Sequence, residues 1–156
     1  MKRMKRIMSV VLAVCVMFAL TACGVGQKEK KDAAVCTIEQ NGVTVKMSFD
    51  VKGDIITKIK QSSTVSTEGY TEEQVAALKE AIEQAEATYK EIEGAEYSIE
   101  ETDTEITEKI SFSVEGDTLK EVVDKGLLPV QGEAEKLSLK KTMEALEDAG
   151  WTVEQK

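Results

Sequence analysis

VTVKMSFDVKGDIITKIKQSSTV, residues 43–65, carries the clearest structural signal in the chain. Apolar and polar residues alternate without a break from Val43 to Val51, which is typical of a strand with one face in a core. Lys52-Gly53-Asp54 supplies a turn, and residues 55–65 return as a second strand rich in β-branched side chains. This stretch therefore predicts a β-hairpin.

A long helix is predicted to follow the hairpin. Thr71-Glu72-Glu73-Gln74 has the pattern of a capping box, in which the Thr71 hydroxyl and the Gln74 side chain each bind a free backbone amide. After this capping box, apolar residues recur at helical spacing along one face, at Val75, Leu78, Ile82, Ala85, Tyr89 and Ile92. Gly94 is predicted to end the helix.

The second half repeats this order of elements. Residues 97–114 predict another hairpin, with Glu108 interrupting its apolar face and expected near the edge of a strand. Thr118 to Glu121 predicts a second capping box and a short helix ending at Gly126. Ser138 is expected to cap a last helix, and residues 151–153 a short final strand.

The order β-β-α-β-β-α-α predicts an α+β fold, an antiparallel sheet of two hairpins with two or three helices packed on one face. One globular domain is expected over residues 36–156. Residues 46–54 and 109–117 are identical at six of nine positions, at a constant offset of 63. Two interpretations stay open: a possible internal β-β-α duplication, or two strands with the same alternation and turn chemistry that converged.

The N-terminus predicts export and a lipid anchor. Residues 1–6 hold four basic side chains, and a 14-residue apolar run follows, too short to span a bilayer. Leu20-Thr21-Ala22-Cys23 matches the lipobox of bacterial lipoproteins, in which the Cys23 thiol receives the lipid. We predict a signal peptide over residues 1–22, and a lipidated cysteine with a flexible tether over residues 23–35. The alternative is an ordinary secretory signal with an incidental cysteine.

Composition excludes several function classes. The chain has no His, so mechanisms that use an imidazole base are excluded, as are most catalytic zinc sites. Its net charge is −9, and cleavage before Cys23 removes four basic residues and no acidic one, leaving the mature side chains at −13. A domain of that charge is expected to be repelled by nucleic acid and by anionic lipid.

Candidate reactive groups each have a simpler explanation. Cys36 would be the only free thiol of the mature chain, either reactive or a small apolar residue in a strand. Glu100, Glu101, Asp103 and Glu105 crowd one turn, either as Ca²⁺ ligands or as a solvated acidic turn. Ser138 and Lys141 fit a Ser-x-x-Lys pattern by spacing, although a helix cap accounts for Ser138. No cofactor-binding or metal site is expected.

Two apolar features are candidate binding surfaces. Residues 127–130, Leu-Leu-Pro-Val, form either an exposed partner site or a loop that completes the core. Trp151 is expected to be a core anchor rather than a platform for a ligand.

Longer stretches resemble the YehR-like lipoproteins, a small bacterial family without an assigned activity. The resemblance covers residues 36–154 and rests on Gly69-Tyr70-Thr71, YKEIEGAEY (89–97), ITEKISFSV (106–114) and LSLKKTMEALEDAGW (137–151). It implies an α+β domain on a lipid anchor and carries over no catalytic or binding residue.

The functional hypothesis from the sequence is a non-catalytic bacterial lipoprotein, anchored outside the cytoplasm through Cys23, that binds a protein partner or a small ligand at the cell envelope. The alternative is a carboxylate-dependent or metal-assisted hydrolase of envelope material, supported only by the acid-rich surface.

Overall fold

The computed structural model describes residues 28–128 and 136–156, which form seven strands and three helices. The signal peptide, Cys23 and most of the predicted tether lie outside these residues, as do Pro129 and Val130 of the apolar loop. The strands are β1 (Glu29–Gln40), β2 (Val43–Lys52), β3 (Ile55–Ser66), β4 (Glu96–Glu101), β5 (Glu105–Ser113), β6 (Leu137–Ser138) and β7 (Thr152–Gln155). The helices are α1 (Glu72–Lys90), α2 (Gly116–Asp124) and α3 (Leu139–Asp148).

The strands form one antiparallel sheet in the order β4-β5-β3-β2-β1-β7, with the short β6 beside the start of β3. Both predicted hairpins are present, as β2–β3 and β4–β5, and Gly53 adopts the positive φ of 65° that its turn needs. β3 and β5 are neighbours, so the two hairpins lie side by side. The predicted α+β class is confirmed.

One face of the sheet forms the core together with the helices. The side chains of Phe49, Ile59 and Phe112 occupy one cross-strand row and are almost fully buried. Tyr89 of α1 stacks near Phe112, with ring centroids 6.3 Å apart. Each helix contributes to this core through apolar residues of one stripe, as amphipathic helices on a sheet do: Leu78 and Ile82, Leu119 and Val122, and Leu139 and Leu146.

Helix α1 begins as its sequence predicts. The Gln74 amide donates to the Thr71 hydroxyl over 3.3 Å, and the Thr71 amide donates to Gln74 Oε1 over 2.8 Å. The second predicted capping box is wrong: α2 starts at Gly116, its N-cap is Glu115, three residues before Thr118, and Glu115 makes no side-chain capping bond. The chain turns into this helix directly from β5, since Val114 still donates to the Thr57 carbonyl.

Strand β1 begins inside the segment predicted to be tether. Ala33 and Ala34 are buried, and Ala34 pairs with Phe49 of β2. The register shifts between Lys30 and Ala34, where Asp32 adopts a φ of 48° and its amide donates to Asp50 Oδ1 over 2.9 Å. This bulge interrupts the alternation of a strand, so residues 29–35 have no periodicity in the sequence.

The nine-residue similarity does not extend to a repeated hairpin and helix. Residues 46–54 lie in the first strand of a hairpin and its turn, whereas residues 109–117 span the second strand of the other hairpin and the start of α2. When β3 is shifted by the same 63 residues, most of it corresponds to helix α2 and to the residues that follow α2. A strand in one half therefore corresponds to a helix in the other. The shared element is therefore a single strand with a glycine after it.

Candidate functional site

The second face of the sheet is polar and is covered by none of the described helices. We call it the open face; its central residues are Lys46, Ser48, Lys60, Ser62, Lys109 and Ser111, with Glu96 and Ser98 on β4. Two cross-strand rows define it. In one row Ser62 lies between Lys46 and Lys109, and in the next Lys60 lies between Ser48 and Ser111.

This arrangement follows from the sequence similarity between β2 and β5. Both strands run antiparallel to β3 and flank it, so Lys46 and Lys109 stand at the same level on either side, as do Ser48 and Ser111. Adjacent strands lie about 4.8 Å apart, which puts the backbones of the two lysines about 10 Å from each other. The result is an alternation of ammonium and hydroxyl groups across three strands.

A depression of about 500 Å³ lies on the open face. Its lining contains three lysines and one glutamate, although acidic residues outnumber basic ones in the chain as a whole. Lys109 forms an ion pair with Glu100 at 2.5 Å. Both side chains are exposed, and such a pair contributes little to the stability of the fold. Lys46 is exposed and forms no ion pair within the described residues. The depression thus offers the positive charge of Lys46, together with several hydroxyl groups, to a ligand.

Lys60 is held in place from one side by the bulge of β1. Its ammonium group donates to Asp50 Oδ1 over 2.7 Å and to Asp32 Oδ1 over 3.2 Å. A hydrogen bond from Ser48 and another from Lys60 lower the pKa of Asp32. Burial acts to lower the pKa of Lys60, but its bonds to Asp50 and Asp32 outweigh burial and raise it. Lys60 therefore stays charged and fixed in the centre of the open face.

Glu108, predicted near a strand edge, is instead buried in the middle of β5 on the core side. Its Oε1 is within hydrogen-bond distance of the Tyr97 hydroxyl, which also donates to the Ile82 carbonyl over 3.1 Å. Burial raises the pKa of Glu108 and, together with Glu108 itself, that of Tyr97. This acid therefore belongs to the core and does not face the depression.

The cysteine predictions have different outcomes. Cys23 lies outside the described residues, so its lipidation stays a prediction. Cys36 is fully buried in β1, opposite Met47 and Val153, which agrees with the simpler explanation. Burial raises the pKa of its thiol to about 11.

The carboxylates of the acidic turn at residues 100–105 do not meet at one point. Glu100 pairs with Lys109, and Glu101 pairs with Lys79 at 2.5 Å. Across residues 28–128 and 136–156, no group of three or more acidic or cysteine side chains is arranged to hold a metal ion.

Ser138 caps α3 as predicted, accepting from the Lys141 amide over 3.3 Å, and its hydroxyl donates to Asp54. Leu128 and Trp151 are buried and belong to the core.

The open face was missed from the sequence because its residues lie on three strands and meet only through the register. The sequence does contain one signal, the shared Lys-x-Ser-Phe of residues 46–49 and 109–112, but neither duplication nor convergence of two strands predicts that these residues share a face.

Comparison with known proteins shows which family the chain belongs to. The family described as "Protein of unknown function (DUF1307)" matches residues 34–152. The chain belongs to this family. It is 31% identical to the uncharacterized lipoprotein YehR of Escherichia coli over 119 residues, 74% of this chain and 72% of that one. It is 30% identical to the uncharacterized lipoprotein Lmo0207 of Listeria monocytogenes over 113 residues, 70% of this chain and 69% of the other.

The fold matches as well. The NMR structure of E. coli YehR superposes with a TM-score of 0.59 and 21% identity, covering 84% of this chain and 94% of that one. The predicted resemblance to the YehR-like lipoproteins is confirmed. None of the helices described is long and apolar enough to cross a membrane.

Proposed function

We propose that the mature protein is a non-catalytic lipoprotein, held at the bacterial cell membrane by lipid on Cys23, whose open face binds a partner protein or a small ligand of the cell envelope. The observation that carries the binding role is the depression of about 500 Å³ with its three lysines and four serines. The helices pack on the opposite face, so a binder has free access to this one. Lys46 forms no ion pair with the described residues, so its positive charge is available to a ligand.

The anchor is supported by the lipobox at Leu20–Cys23 and by relatives that are named lipoproteins. Two or more acyl chains hold a protein stably on a bilayer, whereas one chain binds only marginally. A chain without this anchor, Cys23→Ala, should leave the membrane fraction while its domain stays folded. Unchanged membrane attachment of that variant would contradict the anchor.

The binding role is tested by the melting temperature of the mature lipoprotein in neutral detergent, measured against a panel of envelope fragments, glycans, peptides and metal ions. A ligand at 100 times its dissociation constant stabilises the fold by about 2.7 kcal/mol, a rise of several degrees. Lys46→Glu should abolish the rise, and the matched control Lys120→Glu, on α2, should keep it. A rise that survives Lys46→Glu would exclude the open face.

The same panel tests the non-catalytic part of the proposal. Turnover of an envelope fragment that an Asp or Glu substitution abolishes would favour the hydrolase hypothesis instead.

A further inference from the structure

Charge is distributed unequally between the two ends of the sheet. We call the end where β1 begins the tether end and the opposite end the far end. The far end carries Glu39, Glu68, Glu72, Glu73, Glu101, Asp103 and Glu105; its one described lysine, Lys79, is already paired with Glu101. The far end is therefore acidic, and the other lysines of the described residues lie elsewhere.

Lysines gather at one side of the tether end, where β1, β2, β6 and β7 reach it. The strand register brings these lysines together. Lys30 of β1 lies beside the end of β2, and Lys52 at that end pairs with Glu29 on one side and with Ile55 on the other. Strand β6 pairs with Ile55 in turn. At the sheet edge, the Lys156 amide donates to the Ala33 carbonyl over 3.0 Å. The basic residues at this end are Lys28, Lys30, Lys31, Lys52, Lys136, Lys140 and Lys156.

The acids beside these lysines are mostly engaged inside the fold, whereas the exposed Glu93, Glu96 and Asp117 lie at the other side of the tether end, by β4, β5 and α2. Glu29 accepts from the Thr57 hydroxyl, and Asp54 accepts from Ser138 and from the Lys140 amide at the start of α3. Lys52 and Glu115 form an exposed pair at 3.4 Å. The exposed Lys31 and Lys140 form no ion pair within the described residues, so their charge is available to a partner.

The chain between the proposed lipid and this end is short. Only residues 24–28 separate Cys23 from Glu29, and a fully extended chain spans at most about 3.6 Å per residue. The tether end therefore lies within about 22 Å of the lipidated residue, while the far end lies about 30 Å further along the ten residues of β2.

We propose that the lysine side of the tether end, formed by β1, β2, β6 and β7, is a docking surface for anionic lipid headgroups, so that the domain stands on the membrane with its acidic far end outward and its open face accessible from the side. The proposal rests on the lipid anchor at Cys23. Lysines near an anionic surface each favour contact by roughly fivefold, and the acidic far end is repelled by the same surface. The lipid anchor then limits the distance of the domain from the membrane, and the distribution of charge sets the orientation of the domain.

The test uses the ¹⁵N-labelled mature lipoprotein in nanodiscs that carry a trace of a lipid with a gadolinium chelate. One set of discs is phosphatidylcholine alone, and the other also contains phosphatidylglycerol. The observable is the paramagnetic broadening of the Gly53 amide at the tether end relative to the Asp103 amide at the far end. Because broadening falls with the sixth power of distance, we expect a ratio of roughly tenfold or more in anionic discs, for ends about 30 Å apart. The ratio should fall in neutral discs and at high salt, where the screening length shortens to about 3 Å.

Two double variants with the same change in net charge separate orientation from overall charge. Lys31→Gln with Lys140→Gln removes two charges at the tether end and should lower the ratio in anionic discs. Gln40→Glu with Asn41→Asp adds two negative charges at the far end and should leave it unchanged or raise it. Equal ratios in neutral and anionic discs, or a larger effect at Asp103, would overturn the proposal while the anchor stands. A protein that does not associate with the discs contradicts the anchor as well.

Discussion

The buried acid of β5 gives a prediction with a defined sign. Glu108 is 4% exposed, and burial raises its pKa. The Tyr97 hydroxyl has one hydrogen and two acceptors within reach, Glu108 Oε1 and the Ile82 carbonyl. A protonated Glu108 satisfies all three groups, because it donates to the Tyr97 oxygen while Tyr97 donates to Ile82. Ionisation breaks this chain of bonds and leaves a charge in the core.

Glu108→Gln keeps a donor at this position and removes the titration. The folded state has the raised pKa, so the stabilisation by the protonated acid is complete below the unfolded pKa of glutamate, about 4.3, and is lost as the pH rises through the folded pKa. The free energy of unfolding of the wild type should therefore fall relative to that of the variant across this window. One proton limits the slope to about 1.4 kcal/mol per pH unit.

Urea unfolding of both proteins between pH 4 and pH 8 measures this difference. Glu105→Gln, at the exposed start of the same strand, is the matched control and should follow the wild type at every pH. A constant offset between the wild type and Glu108→Gln would refute the titration of Glu108, and a wild type that gains stability relative to the variant as the pH rises would refute its sign.

Three further predictions concern stability and reactivity. Thr142 is fully buried, and its hydroxyl has no hydrogen-bond partner among the residues described, so Thr142→Val should raise the free energy of unfolding by about 1 kcal/mol; a loss in urea unfolding would show that the hydroxyl is bound. Asp50→Ala should cost about 2–3 kcal/mol, because it removes the acceptor for Lys60 and for the Asp32 amide, whereas the exposed Asp117→Ala should change stability by less than about 0.5 kcal/mol. Cys36 should resist thiol reagents at neutral pH in the folded protein and react in urea, because its thiol is buried with a pKa of about 11; rapid labelling of the native domain would argue against this burial.

The sequence was informative wherever structure is local. The alternation of β2, the turn at Gly53 and the capping box of α1 involve residues within a few positions of each other, and their predictions are confirmed. The start of β1 was lost because its bulge interrupts the alternation over Lys30 to Ala34. Glu108 was misplaced because its burial depends on Tyr97, a partner on the neighbouring strand.

The open face shows the limit of local patterns. Neither Lys46 nor Lys109 is unusual in its own strand, and the two come together only because β3 lies between β2 and β5. The pairing of β3 with β5 joins residues that are 39 to 55 positions apart. Such a neighbour relation follows from the packing of the two hairpins, which the strand patterns alone do not determine.

Photo-crosslinking in living cells tests the central claim, that an anchored domain binds through its open face. A photoreactive amino acid at Ser62, in the centre of that face, should give a discrete adduct with an envelope component. The same amino acid at Glu83, on the exposed side of α1, should give none. Cys23→Ala should abolish the Ser62 adduct, because the domain then leaves the membrane. An absence of adducts at Ser62, or equal adducts at both positions, would contradict the account.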